Sequence, residues 1–282
     1  MVKRWIKAPT LIGMVASGTA VCNLPIGPRY HTLLISGTGT TAATHISEMR
    51  LKVNGKVQRV MTYAELQAIN ILNGSIYGVQ GTTTFQLPIF LAEPWRKSNR
   101  DQDLLAWGTG NLDSFQLEID ITATAPTTLN VIAQIDNSIV QQDGRSVQQP
   151  MGLITKWDRV QLPLTGTTPD YGLASFPIRD NYQSIHIVDA GGTFTSYSLK
   201  VDNFVVREVL KVENDALLTH YGMSPASGRL DIVFDHDDFL NSALPTQGPD
   251  GRRIQDLKLS LVSGTGTARN LSTIYQRIGL AE

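Results

Sequence analysis

The stretch Leu24-Pro25-Ile26-Gly27-Pro28-Arg29-Tyr30 decides the fold, because a second version of it occurs later as Phe176-Pro177-Ile178-Arg179-Asp180-Asn181-Tyr182. In each version, a Leu or Phe, a Pro and an Ile precede a Tyr that lies five residues after the proline. The offset between the two versions is 177 − 25 = 152 at the proline and 182 − 30 = 152 at the tyrosine. Internal repeats change the whole interpretation of a chain, so the rest of the sequence must be compared at the same offset.

Further segments match between the two halves in the same order. They are Leu51-Lys52-Val53-Asn54 with Leu199-Lys200-Val201-Asp202, Arg59 with Arg207, a predicted short helix in each half, Phe115–Ile119 with Asp256–Leu261, and Leu129–Gln134 with Leu271–Gln276. The offset falls gradually from 152 to 271 − 129 = 142 residues. Because the order is kept and the offset changes little, the sequence predicts two domains of one fold.

Strand patterns dominate both halves, so the sequence predicts an all-β protein. The runs that alternate or are rich in β-formers are Met49–Val53, Thr83–Ile89, Phe115–Thr122, Leu129–Ile135, Ser184–Val188, Leu230–Phe234, Leu257–Val262 and Leu271–Tyr275. Two helices are predicted, over Tyr63–Leu72 and Glu213–Tyr221. Several strands with a helix in one long connection are typical of an eight-stranded jelly roll. We predict an N-terminal arm at residues 1–20, a first jelly roll at 21–140 and a second at 141–282, with the polar stretch 137–150 as the joint.

The charge balance disfavours direct contact with nucleic acid. The formal net charge of the 282 residues is −1, and the only basic cluster is Lys3, Arg4 and Lys7. A protein that binds phosphates directly needs a Lys or Arg for each phosphate that it neutralises. Charged residues make up 17% of the chain against roughly 25% in ordinary soluble domains. A low charge is typical of a protein that buries much of its surface against other copies.

The repeated segments resemble those of a known family. Leu24-Pro25-Ile26-Gly27 with Tyr30, and Arg50–Lys56 leading into Thr62–Leu66, are similar to the major capsid proteins of corticoviruses, which are membrane-containing icosahedral bacteriophages. Further similar segments are Ala106–Gly110, Phe115–Asp120, Ile132–Gln134, Asn214-Asp215 with His220–Gly222, and Ile254–Leu259. The extreme N-terminus and the loop 238–252 show no such similarity.

The resemblance implies a double jelly roll that acts as a structural shell subunit and not as an enzyme. It implies homotrimers of hexagonal outline that contact neighbouring trimers and a vertex (penton) protein. The icosahedral shell would enclose an inner membrane or its proteins, so nucleic acid would not be a direct partner. The expected location is the virion, after assembly in the host cytoplasm, and no catalytic or cofactor-binding residue is expected.

The cysteine and histidine content agrees with a non-enzymatic interpretation. Cys22, the only cysteine, lies in an apolar strand and is predicted to be a buried, inert thiol, which fits a reducing compartment. No two of the five histidines lie within four residues of each other, so no metalloprotease pair is present; they are His31, His45, His186, His220 and His236. No Gly-x-Ser-x-Gly elbow occurs either.

Three Gly-Thr-Gly sequences resemble phosphate-binding loops only superficially. They are Gly37-Thr38-Gly39, Gly108-Thr109-Gly110 and Gly264-Thr265-Gly266, and none continues into Gly-Lys-Ser/Thr. They are predicted to be turns.

The densest acidic cluster is Asp235-His236-Asp237-Asp238. A solvated loop is the first interpretation. A structural calcium ion on Asp235, Asp237 and Asp238 is the alternative, because calcium takes several oxygen ligands.

The N-terminal segment allows two interpretations. Trp5 between basic residues could lie on a lipid surface, since aromatic residues favour the membrane interface and bases favour anionic lipids. Alternatively, the segment could contact a neighbouring subunit. The segment is not expected to be a cleaved signal peptide, because its apolar run, Leu11–Ala16, is only six residues long.

A secreted two-domain β-sandwich that binds or cleaves carbohydrate is the alternative function. It predicts a concave face with spaced aromatic residues. The four tryptophans form no such ladder; they are Trp5, Trp95, Trp107 and Trp157.

Overall fold

A computed structural model describes residues 2–38, 45–74, 84–189, 194–248 and 251–282. The chain divides into two compact units. The first unit is Met1–Thr155 together with Leu280–Glu282, and the second unit is Lys156–Gly279.

The first unit is an eight-stranded jelly roll with one small additional strand. Its strands are β1 (Arg4–Lys7), β2 (Thr19–Asn23), β3 (Arg29–Thr38), β4 (Ile46–Val53), β5 (Lys56–Met61), β6 (Thr84–Phe90), β7 (Trp107–Gly108), β8 (Phe115–Ile121) and β9 (Thr128–Asp136). One sheet has the order β1-β9-β3-β6, with β7 paired to β3, and the other has β2-β8-β4-β5. A hairpin of β10 (Ile139–Gln142) and β11 (Arg145–Gln148) follows.

The second unit repeats this topology. Its strands are β12 (Leu153–Leu164), β13 (Asp170–Tyr171), β14 (Asn181–Val188), β15 (Phe194–Val201), β16 (Phe204–Leu210), β17 (Arg229–Val233), β18 (Leu257–Ser263) and β19 (Arg269–Leu280). Residues 153–155 of β12 and Leu280 of β19 belong to the first unit. The sheet orders are β12-β19-β14-β17 and β13-β18-β15-β16. Strand by strand, β12 to β17 correspond to β1 to β6, β18 corresponds to β8, and β19 to β9. The predicted double jelly roll is therefore confirmed, and every predicted strand coincides with an observed one, apart from Thr83, which lies outside the described residues.

A helix occupies the same connection in both units. Helix α1 (Tyr63–Leu72) follows β5, and α3 (Lys211–His220) follows β16, as predicted to within two residues. Thr62 begins α1 with a capping box, in which the Thr62 hydroxyl accepts the Glu65 N–H and Glu65 accepts the Thr62 N–H. The short helix α2 (Asn99–Gln102) occurs only in the first unit among the described residues.

The repeated tyrosines form the same hydrogen bond in both units. Tyr30 donates its hydroxyl to the Pro25 carbonyl at 2.5 Å, and Tyr182 donates to the Pro177 carbonyl at 2.9 Å. Both rings are completely buried. A buried hydroxyl needs a partner, so the five-residue spacing from proline to tyrosine fixes how the chain enters β3 and β14.

The repeated Asn54 and Asp202 also have one role. Each has a positive φ, +49° and +47°, in the hairpin after β4 or β15, a conformation that short polar side chains tolerate. The Asn54 side-chain oxygen accepts the N–H groups of residues 113 and 114, and that of Asp202 accepts those of residues 255 and 256. Each side chain therefore ties its hairpin to the start of the neighbouring strand.

Each unit has its own aromatic and aliphatic core. In the first, Phe115 packs against Tyr30 with ring centroids 5.1 Å apart and against Trp107 at 5.6 Å. In the second, Tyr275 packs against Tyr182 at 5.8 Å and Phe176 at 5.6 Å. Burial of such rings removes the most apolar surface per residue and contributes most to the stability of each unit.

Two segments that the sequence analysis set apart from the jelly rolls form strands. Residues 4–7, inside the predicted N-terminal arm, form strand β1, which pairs with β9 from Arg4↔Ile135 to Lys7↔Ile132. The predicted joint at 137–150 is occupied by the hairpin β10–β11, with Asp143 and Gly144 at positive φ in its turn.

Candidate assembly surface

Strand β16 and helix α3 carry the largest group of neighbouring exposed apolar side chains in the second unit. The members of this β16–α3 surface are Phe204, Val205, Val206, Leu210, Val212 and Leu217. Strand β16 is the last strand of its sheet, so one side of its backbone is an edge. Exposed apolar groups beside an edge strand mark a site for association, because both the side chains and the free backbone groups can pair.

An open groove of about 340 Å³ lies beside this surface on the second unit. Ser196, Ser198, Leu210 and Val262 are among its lining residues, together with the acidic Glu208 and Glu213. The lining of the groove therefore combines apolar side chains with two carboxylates.

A second group of exposed apolar side chains lies near the N-terminus. It comprises Val2, Trp5, Ile12 and Val15. Trp5 belongs to β1, which is also the last strand of its sheet. In the described part of the chain, β1 of the first unit and β16 of the second unit are thus edge strands that carry exposed apolar side chains.

Sequence reasoning missed a buried Ser–His–Asp chain in the second unit. Ser184 Oγ lies 2.7 Å from His186 Nε2, and His186 Nδ1 lies 2.7 Å from Asp231 Oδ1. Arg229 Nε donates to Asp231 at 2.7 Å, and Ser184 donates to Gln276 at 2.8 Å. Burial raises the pKa of Asp231, but the hydrogen bonds and charges of His186 and Arg229 outweigh this effect and hold the pKa below its ordinary value.

The buried Ser–His–Asp chain is not arranged as a hydrolase site. Ser184, His186 and Asp231 are all almost completely buried, so a substrate could not reach the hydroxyl. A nucleophilic serine needs both its base and an accessible reacting position. The chain instead links the neighbouring strands β14 and β17 through charged hydrogen bonds.

A second polar cluster lies at one end of β3 and β9. Arg29 and His31 both contact Asp136, at 2.6 Å and 2.8 Å, and Asp103 lies 3.1 Å from His31 Nδ1. Burial lowers the pKa of His31, and the neighbouring carboxylates only partly oppose that shift.

The outer face of β4 and β8 carries an ion-pair network. Arg50 binds Glu48, Glu118 and Asp120, and Lys52 binds Glu118. Partial burial raises the pKa of Asp120, but its hydrogen bonds from Arg50 and Thr19 outweigh this effect and keep the pKa below its ordinary value. The outer face of these two strands is therefore polar and charged.

The acidic cluster at 235–238 does not form a common site. Asp235 accepts a hydrogen bond from Gln183, whereas Asp237 accepts the Phe239 N–H and the Ser242 hydroxyl. Asp238 has a positive φ of +69°, with its N–H bonded to the Asp235 carbonyl. Among the described residues, no three His, Cys, Asp or Glu side chains are grouped so that they could hold a metal ion. Asp235 and Asp237 therefore bind different partners within the chain.

The remaining candidate residues have structural positions. Cys22 is buried and its thiol contacts the Pro9 carbonyl; burial raises its pKa to about 11. Gly108 and Gly110 approach the backbone of residues 148–150 so closely that a Cβ would lie within 2.4 Å of it. Gly39 lies outside the described residues. No described helix is long and apolar enough to span a membrane.

Comparisons with known proteins agree with this architecture. Residues 5–136 match the family model described as viral coat protein P2 N-terminal domain. No curated protein matches the chain.

Three solved structures illustrate the similarity. The major capsid protein P2 from bacteriophage PM2 is 19% identical with a TM-score of 0.83, covering 100% of this chain and 98% of that one. A chain from the atomic structure of Sulfolobus Turreted Icosahedral Virus is 12% identical, with a TM-score of 0.70 and coverages of 99% and 91%. A chain from the PBCV-1 virus capsid is 10% identical, with a TM-score of 0.65 and coverages of 100% and 96%.

The three are thus a bacteriophage major capsid protein, a chain of an icosahedral virus and a chain of a virus capsid. Because the sequence identities are low, the three solved structures establish only the fold. The family model matches the first jelly roll. Residues 5–136 are therefore similar to a viral coat protein P2 N-terminal domain, and the whole chain has the double jelly-roll fold seen in the major capsid protein P2 of bacteriophage PM2.

Proposed function

We propose that the chain is the major capsid protein of an icosahedral virus and that three copies associate into a trimer of hexagonal outline. The observation that carries this proposal is the duplicated jelly roll, which matches a bacteriophage major capsid protein over its whole length. A trimer of this chain contains six similar jelly rolls, which together give it a hexagonal outline. Hexagonal trimers can pack side by side to form a shell. The two exposed edges, on β1 and β16, are different surfaces, so a contact between them is head-to-tail and can close into a ring.

The proposed partners follow from this role. They are neighbouring trimers, a vertex protein at the positions of five-fold symmetry, and a lipid membrane or its proteins inside the shell. Assembly in the host cytoplasm is consistent with a single, buried cysteine, because no disulfide is needed. The near-neutral charge is also consistent with a membrane between shell and genome.

Light scattering after size exclusion tests the proposal. Three copies of 30.9 kDa give an expected mass of about 93 kDa, and negative-stain images should show hexagonal particles. The same run with a calcium chelator should leave the trimer intact, because the described acidic residues do not converge on a common site. A monomer at every concentration would contradict the shell function and would favour the carbohydrate-binding alternative.

A further inference from the structure

The two jelly rolls differ in how far their corresponding edge strands are covered. The hairpin pairs Val53↔Lys56 and Val201↔Phe204 align β5 with β16, so that Gln58 corresponds to Val206 and Arg59 to Arg207. Gln58 is 3% exposed, whereas Val206 is 43% exposed. Arg59 is likewise buried, whereas Arg207 is only partly buried. The same strand position is thus covered in the first unit and open in the second.

Two segments of the first unit cover β5. Arg59 Nε donates to the carbonyl of Thr155 at 2.7 Å, and Thr155 lies near the start of β12. The N–H of Glu282, just after the end of β19, donates to the Gln58 side chain at 3.3 Å. Burial in this setting lowers the pKa of Arg59 to about 9. Thr155 and Glu282, which both belong to the first unit, therefore lie against β5.

The counterpart of the first covering segment is open. By topology, β12 corresponds to β1, and β19 to β9. Lys156-Trp157 in β12 corresponds to Arg4-Trp5 in β1 at the offset of 157 − 5 = 152 residues that also relates the two proline motifs. Trp157 is 6% exposed, whereas Trp5 is 53% exposed. At these corresponding positions, β1 is therefore more exposed than β12, and β16 is more exposed than β5.

We infer that β16 of one copy of this chain binds β1 of a second copy, in the manner in which β5 lies against the start of β12 within one chain. The inference rests on the proposed trimer, whose contact it identifies. Charge supports it, because Glu208 and Glu213 line the groove beside β16, and β1 carries the exposed bases Arg4 and Lys7. Edge pairing would also satisfy the free backbone groups of both strands.

Cross-linking between engineered cysteines tests the contact directly. Val2→Cys and Val205→Cys place one thiol beside β1 and one in β16, both at exposed positions. Native Cys22 is buried with a raised pKa, so it should not react. With a short bismaleimide, the double variant should give covalent dimers and trimers on a denaturing gel. Each single variant alone should stay monomeric, and a mixture of the two single variants should give dimers but no covalent trimer.

A charge variant with a matched control gives an independent readout. Val206→Lys adds a base where the basic strand β1 is expected, so the 93 kDa species should be lost at concentrations where the native chain is trimeric. Ile71→Lys makes the same change at a similarly exposed position in α1 and should leave the trimer intact.

The outcomes separate this inference from the proposed function. If the native chain is a trimer but Val206→Lys also forms trimers and the double variant does not cross-link, the trimer uses another surface and the inference is wrong. If the native chain is a monomer, the inference and the proposed function are both wrong. If Trp5→Ser abolishes binding to anionic liposomes and leaves the trimer unchanged, β1 faces lipid and the inference is again wrong.

Discussion

At the residue scale, His31 makes the stability of the fold depend on pH. Burial lowers its pKa below the ordinary value of about 6.5, although Asp136 and Asp103 lie beside it. The unfolded chain therefore binds a proton more readily than the folded chain at this position. The contribution of neutral His31 to stability is complete above about pH 6.5 and is lost as the pH falls towards the lower, folded-state pKa. We expect the free energy of unfolding to decrease between about pH 7 and pH 5.

The variant His31→Gln isolates this effect. Glutamine can still donate a hydrogen bond to Asp136, but it does not titrate. The slope of unfolding free energy against pH, measured by urea denaturation, should therefore be smaller in the variant over this range. His236→Gln, at a partly exposed position, is the control. Equal slopes for His31→Gln and the native chain would show that His31 does not contribute.

Individual residues were predictable where the sequence repeats itself. Tyr30 and Tyr182 were found from their spacing to a proline, and both make the hydrogen bond that explains it. The buried chain of Ser184, His186 and Asp231 could not be found in this way. It joins positions 45 residues apart on neighbouring strands, and its partners become visible only when the pairing of β14 with β17 is known.

At the element scale, the two related helices start differently. Thr62 accepts the Glu65 N–H at the start of α1, whereas Leu210, which has no side-chain acceptor, starts α3. Replacement of an N-terminal capping threonine by alanine costs about 1 kcal/mol. We expect Thr62→Ala to lower the free energy of unfolding by about that amount, measured by denaturant titration. Leu210→Ala removes no cap and should leave α3 unchanged; an equal loss of stability in both variants would contradict the capping argument.

Strands with alternating apolar residues were predicted, but β1 was not. Arg4–Lys7 has only four residues, all at least partly exposed, and Pro9 follows closely. Such a segment has no alternating pattern of its own, and its strand conformation comes from pairing with β9. Edge strands are least predictable from local sequence because their neighbours determine them.

At the scale of the whole molecule, the order of repeats was enough to predict the architecture. Five matched segments in the same order predict two copies of one topology. The order of strands and helix in each copy is that of a jelly roll. The difference between the copies could not be predicted. Gln58 and Val206 occupy one position in the repeat, and only the structure shows that the first is covered and the second open.

The charge of the whole chain leads to a last prediction, about nucleic acid. With a net charge of −1 and no basic tract beyond residues 3–7, the trimer should release few counterions from DNA. Non-specific DNA-binding proteins have dissociation constants of about 10⁻⁴ to 10⁻⁶ M at physiological salt. Titration of fluorescent duplex DNA should therefore show no binding in this range at about 150 mM salt. The same chain with an added tail of six lysines should bind, with an affinity that falls steeply as salt rises. Tight binding by the native trimer with a similar salt dependence would mean that its inner face contacts the genome directly, and would argue against a membrane between them.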